Sequence, residues 1–94
     1  MLREHAAGLA LSTAGFTWLF SAAAFTVAER GSGRPHSFAD GLWWSASTIT
    51  TVGYGDIYPV TPIGRIIGVF TMVVGISTFA LVTAKVAQFL VRSD

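Results

Sequence analysis

Thr50-Thr51-Val52-Gly53-Tyr54-Gly55-Asp56 is the stretch on which the fold turns. Glycines at 53 and 55 open backbone angles closed to other residues. Their alternation with Val52 and Tyr54 lets successive carbonyls point to one side while the side chains pack on the other. Just upstream, Phe38, Leu42, Trp43, Trp44, Ala46 and Ile49 give an apolar helical segment. Ser37 followed by Asp40 has the form of a capping box, with Asp in place of the usual Glu or Gln. The pattern predicts a helix over 38–50, about 20 Å long and too short to cross a bilayer.

The flanks explain why so short a helix is there. Ala6 to Ala28 and Ile66 to Ala84 carry no charge, and each spans about 30 Å as a helix. Lipid offers no hydrogen-bond partners, so both must be helical. We therefore expect spans over 6–28 and 62–91, joined through a turn-rich linker at Ser32-Gly33-Arg34-Pro35 within residues 29–37. Thr61 suits an N-cap and Pro62 the first helical position. The second helix, about 45 Å long, overshoots the bilayer core and must tilt or protrude. Arg3 before an apolar run, with Ala22-Ala23-Ala24, also has the look of a signal peptide, but the run is long for one. Between the spans, the short helix reads as re-entrant. Extended backbone at that depth is tolerated only inside protein or along an aqueous cavity. One chain cannot enclose such a path; several copies around an axis can.

Composition agrees. The chain is 52% hydrophobic and 12% charged, about half the charge of a soluble domain. It has no cysteine, which excludes disulfide scaffolds and thiol chemistry. A net charge of +1 argues against a nucleic-acid partner. There is no metal-ligand cluster, and neither histidine has a nucleophile or acid partner nearby in sequence, so an enzyme is not expected. His5 and His36 are expected to be solvated. Arg3, Lys85 and Arg92 on the terminal side balance Arg30, Arg34 and Arg65 on the connecting side, so charge leaves the orientation open.

Thr51-Val52-Gly53-Tyr54-Gly55-Asp56, lying after a short apolar helix and between two spans, resembles the selectivity filter of potassium channels. Leu42-Trp43-Trp44-Ser45, Tyr58-Pro59-Val60-Thr61, Gly75-Ile76 and Ala28-Glu29-Arg30-Gly31 are similar to the two-transmembrane-helix bacterial members of that family. The likeness is dense from Gly41 to the C-terminus and loose over residues 1–27 and in the turret.

The resemblance implies an all-α membrane protein: two transmembrane helices, a turret (29–37), a re-entrant pore helix (38–50), a selectivity-filter loop (51–56) and a homotetrameric pore. It implies K+ ions held by the carbonyls of Thr51, Val52, Gly53 and Tyr54 and the Thr51 hydroxyl, with Thr50 and Gly55 beside them. It implies an aromatic cuff of Trp43, Trp44 and Tyr54, with Trp43 in reach of Asp56, and four Asp56 carboxylates at the outer mouth. Gly75 matches the gating hinge, and Ile76, Phe79, Thr83 and Ala87, spaced as one helical stripe, match the inner pore. The partners implied are three identical subunits and membrane lipids, with headgroups near Lys85 and Arg92. The place implied is a bacterial plasma membrane with both termini cytoplasmic. A regulatory or voltage-sensing domain beyond these residues stays open, as does the gating stimulus. Ser47 departs from the two-helix bacterial relative it resembles, which has a glutamate there linked to slow inactivation; a weaker or different filter gate is expected. Lys85 is a second departure. The alternatives are a non-selective cation pore and a non-conducting adaptor subunit. Tyr58 matches a position where four aromatics can cage a quaternary ammonium ion. External tetraethylammonium should block current through the wild type and lose potency in Tyr58→Val, measured as a dose–response in planar bilayers.

Overall fold

The computed structural model describes residues 2–33 and 35–92, with side chains from residue 8 onward. Arg34 and the side chains of Arg3 and His5 lie outside the described residues. Helices α1 (Leu2–Ala28), α2 (Phe38–Ile49) and α3 (Pro62–Arg92) follow in order, with no strand among the described residues. α1 starts at Leu2 rather than at residue 6: charge at the end of the apolar run marks the membrane boundary, not the helix boundary. α2 ends at Ile49, with Thr50 as its C-cap.

Each helix starts and stops for local reasons. Ser37 is extended, with ψ 167°; its hydroxyl accepts from the Asp40 amide (3.1 Å) and its own amide donates to Asp40 (3.2 Å). At α3, Thr61 Oγ1 accepts from the Gly64 amide at 3.0 Å, and Pro62 occupies the position that needs no donor. α1 runs out through turns at Arg30 and Ser32 into Gly33, whose φ is +82°.

Burial is inverted relative to a soluble protein. The buried hydrophobic residues are Ala22, Phe25 and Trp44, whereas Thr17, Ser21, Glu29, Ser45, Ser47 and Thr71 are buried polar ones. Phe16, Ile63, Ile66 and Val91 lie outside, Phe16 74% exposed. Two helices, Gly8–Ala28 and Pro62–Arg92, are long and apolar enough to cross a membrane. The molecule is 55 Å along its longest axis, more than the 30 Å or so of a hydrocarbon core. Apolar exteriors suit lipid, and short polar bonds hold the helices together inside. The Thr71 hydroxyl lies 2.7 Å from both the Ile67 carbonyl and Ser21 Oγ. A carbonyl only accepts, so Thr71 donates to Ile67 and accepts from Ser21, which ties α1 to α3.

Glycines set the closest approaches. A Cβ on Gly75 would collide with the Ile49 carbonyl oxygen and sit 2.9 Å from its Cα, so α3 here packs on the last residue of α2. A Cβ on Gly64 would strike the Glu29 carboxylate, Pro59 and Thr61, and Gly68 faces Trp44 of α2 and Pro59. The two positions should therefore respond differently. Gly75→Ala is expected to destabilise the purified protein by about 2 kcal/mol per chain. Gly68→Ala, whose nearest neighbour would be Trp44 Cζ2 at 3.5 Å, should be neutral or gain roughly 0.8 kcal/mol of helix propensity. Melting temperatures in one detergent would show the contrast.

Candidate ion-conducting site

The loop after α2 has an unusual backbone. Thr51, Gly53 and Gly55 have φ of +65°, +63° and +81°, whereas Val52 and Tyr54 are not left-handed. Positive φ thus alternates with ordinary φ over five positions. The glycines adopt this freely, but Thr51 is β-branched, and such a φ costs it roughly 1–3 kcal/mol. Something must hold it. The Thr51 amide donates to the Thr48 carbonyl (3.1 Å) and the Gly53 amide to the Ser47 carbonyl (3.0 Å). Both amides therefore point back at the end of α2. Among the described residues, the carbonyls of Thr51, Val52, Gly53 and Tyr54 accept no hydrogen bond. The whole stretch is exposed in the single chain, Val52 at 54% and Tyr54 at 64%.

The far end of the loop is braced. Trp43 Nε1 donates to Asp56 Oδ2 at 2.8 Å, the Trp43 ring stacks on Tyr54 with centroids 5.4 Å apart, and Asp56 Oδ1 accepts from the Ile57 amide at 3.0 Å. Trp44 is not part of this group. It turns the other way, 4% exposed, and stacks on Phe25 of α1 at 4.5 Å. Adjacent residues of a helix point about 100° apart, and within the chain the two rings go to different neighbours. Ser47 is buried behind the loop and contributes its carbonyl to Gly53. The Thr50 hydroxyl back-bonds to the Ala46 carbonyl at 2.7 Å. Tyr58 is 46% exposed beyond the loop.

Below the loop, Thr48, Thr51, Gly53, Met72 and Ile76 line a cavity of about 260 Å³. Ile76, Phe79, Thr83 and Ala87 continue from it along α3, all exposed. The C-terminal end of α2 faces this region, and its carbonyl end carries partial negative charge. Among the described residues no three His, Cys, Asp or Glu side chains come together. A cation here would be held by backbone and hydroxyl oxygens, which suit hard cations.

Glu29 was read in the sequence only as part of Ala28-Glu29-Arg30-Gly31; the structure gives it a larger part. No solvent reaches it within the fold. It accepts from the Val60 amide (2.9 Å), the Thr61 amide (3.3 Å) and the Thr61 hydroxyl (2.5 Å). One carboxylate thus joins the end of α1 to the start of α3, next to the loop. Burial pushes its pKa up; the Thr61 hydroxyl, the Val60 and Thr61 amides and nearby His36 outweigh this and hold it below the ordinary 4.5. His36 is not simply solvated: it stacks on Phe25 at 5.5 Å, with Nδ1 3.6 Å from Asp40 Oδ2. The sequence signal for Glu29 was an acid at the edge of an apolar span, where a buried charge needs donors waiting for it.

A family profile described as Ion channel matches residues 12–92. A crystal structure of a voltage-gated K+ channel pore domain, closed and in lipid membranes, superposes with a TM-score of 0.79 at 33% identity, over 89% of this chain and 94% of that one. This chain belongs to the potassium channel pore domains. A second, tetragonal form of such a pore module gives a TM-score of 0.83 at 32% identity, over 93% of this chain and 92% of that one. Among curated relatives, a voltage-gated potassium channel of Aeropyrum pernix is 51% identical over 55% of this chain and 18% of its own length. The human potassium voltage-gated channel subfamily A member 10 is 46% identical over 67% of this chain and 12% of its own. The chain spans less than a fifth of these relatives. The chain is an integral membrane protein, of a family of ion channels rather than enzymes.

Because the Glu29 pKa is depressed on folding, its stabilisation is fully present above about pH 4.5 and is lost as pH falls through the lower folded value. The assembly should lose melting temperature only below about pH 4.5. Glu29→Gln should remove that acid step and cost roughly 3 kcal/mol at neutral pH, since its amide brings donors to donors. Thermal melts from pH 7 to pH 3 on both proteins would check this.

Proposed function

We propose that four copies of this chain surround one axis and conduct K+ selectively. The observation that carries the proposal is the run of carbonyls without a donor, Thr51 to Tyr54, on a backbone with positive φ at alternate positions from Thr51 to Gly55. Stripping an ion of water without substitutes costs tens of kcal/mol. Rings of carbonyls from Thr51, Val52, Gly53 and Tyr54, with the Thr51 hydroxyl at the lower end, would offset that cost. Carbonyl rings do so better for K+ than for Na+. The loop is exposed in one chain, and extended backbone needs protein around it at membrane depth, which supports assembly of copies.

The other residues take places around that axis. Asp56 carboxylates at the entrance concentrate cations. The α2 C-termini favour a cation in the cavity below. Ile76, Phe79, Thr83 and Ala87 would line the inner passage, and the crossing of the α3 helices would form the gate. Gly75 packs so tightly on Ile49 that hinge motion there must first part these two elements. Both termini face the cytoplasm in this arrangement, and Lys85 and Arg92 lie among the inner headgroups. The intact Thr51-Val52-Gly53-Tyr54-Gly55 counts against a non-selective pore.

The test is the reversal potential of purified protein in a planar bilayer, K+ on one side and Na+ on the other. We expect reversal near the K+ equilibrium value. Gly53→Ala should abolish selective current, because an alanine at φ +63° is strained by roughly 1–2 kcal/mol in each subunit. A reversal near zero with substantial wild-type current would reject K+ selectivity.

A further inference from the structure

Trp18 sits midway along α1, where the bilayer would accept any large apolar side chain. Its indole N–H donates to the Leu42 carbonyl of α2 at 3.0 Å. In return, the Ser45 hydroxyl donates to the Trp18 carbonyl at 2.9 Å. Leu42 and Ser45 stand three apart on one face of α2. The next contact along the same seam is even closer: a Cβ on Gly41 would lie 2.6 Å from the Ala22 carbonyl oxygen and from Thr26 Oγ1. Trp18, Ala22 and Thr26 recur every four residues, so one stripe of α1 meets one face of α2. Sliding α2 by a residue, or turning it, breaks both hydrogen bonds, and little water is at hand to replace them.

The position of α2 is transmitted directly to the loop. The carbonyls of Ser47 and Thr48 hold the Gly53 and Thr51 amides, so the last turn of α2 fixes where the next carbonyls point. On the loop side, α2 is braced by Trp43 on Asp56. On the opposite side, it is braced by the Trp18 pair.

We infer that Trp18 is a positioning residue for ion selection: its bond to the Leu42 carbonyl fixes the register of the pore helix and, through it, the carbonyl rings. This rests on the K+-selective function proposed above. A purely structural role would lower stability without changing which ion passes.

The experiment compares wild type, Trp18→Phe, Ser45→Ala, their double variant and Thr71→Val as purified assemblies. Each is measured for the Na+-to-K+ permeability ratio under bi-ionic conditions and for melting temperature. Trp18→Phe keeps a ring and loses the donor; it should raise the ratio about threefold, the factor for one membrane hydrogen bond. Ser45→Ala should do similarly, and the double variant should add little, because both bonds guard one register. Thr71→Val cuts the α1–α3 bond instead; it should lower the melting temperature and leave the ratio alone. If Trp18→Phe melts lower but keeps the wild-type ratio, the inference is overturned. If that variant does not assemble, an unchanged ratio in Ser45→Ala overturns it equally. A wild type that does not distinguish the two ions overturns the selective function, and the inference falls with it.

Discussion

Four consecutive carbonyls, Thr51 to Tyr54, find no donor among the described residues of their own chain. At membrane depth, that debt must be met from outside the segment. The rest of the chain is arranged around keeping them in that state. Positive φ at Thr51, Gly53 and Gly55 alternates with the φ of Val52 and Tyr54, and the amides of Thr51 and Gly53 are used up on the end of α2. The strain at Thr51 is tolerated because neighbouring contacts leave it no other conformation. A donor from the protein would satisfy these oxygens permanently; in the function proposed above, a passing cation would satisfy them and leave.

Holding a strained loop open requires stiffness, which hydrophobic burial does not supply between lipid-facing helices. The chain uses short polar links instead. Thr71 with Ser21 joins α1 to α3, Trp18 and Ser45 join α1 to α2, and Glu29 joins the end of α1 to Val60 and Thr61. Glycines at 41, 64 and 75 bring backbones close enough for such short links to reach. Apolar bulk then goes outward, where lipid accepts it. The same inversion explains why so few large hydrophobic residues are buried in this chain.

The architecture was largely legible in the sequence, since two uncharged runs and a capped short helix leave few alternatives in a membrane. The start of α1 was not: Arg3, Glu4 and His5 end the apolar run without ending the helix. The stacking of Trp44 on Phe25 was not legible either, because the helix turns Trp44 about 100° from Trp43 toward a partner distant in sequence. Gly64 meets Glu29, Pro59 and Thr61, and Gly68 meets Trp44 and Pro59, partners that no sequence spacing names. The Glu29, Trp18 and Ser21–Thr71 links were hidden for one reason: their partners are distant in sequence, and a lone polar residue in an apolar span does not announce its acceptor. The positive φ of Gly53 and Gly55 was legible because glycine adopts such angles freely, whereas the positive φ of Thr51 was not.

The most direct measurement is the anomalous scattering of crystals of the assembled protein soaked in Rb+, a heavier stand-in for K+. Peaks on a four-fold axis between the rings of Thr51 and Tyr54 carbonyls, absent from crystals soaked in Na+ alone, are what the account predicts. Ordered filter loops with no Rb+ on the axis, or Rb+ bound only near Asp56, would contradict it.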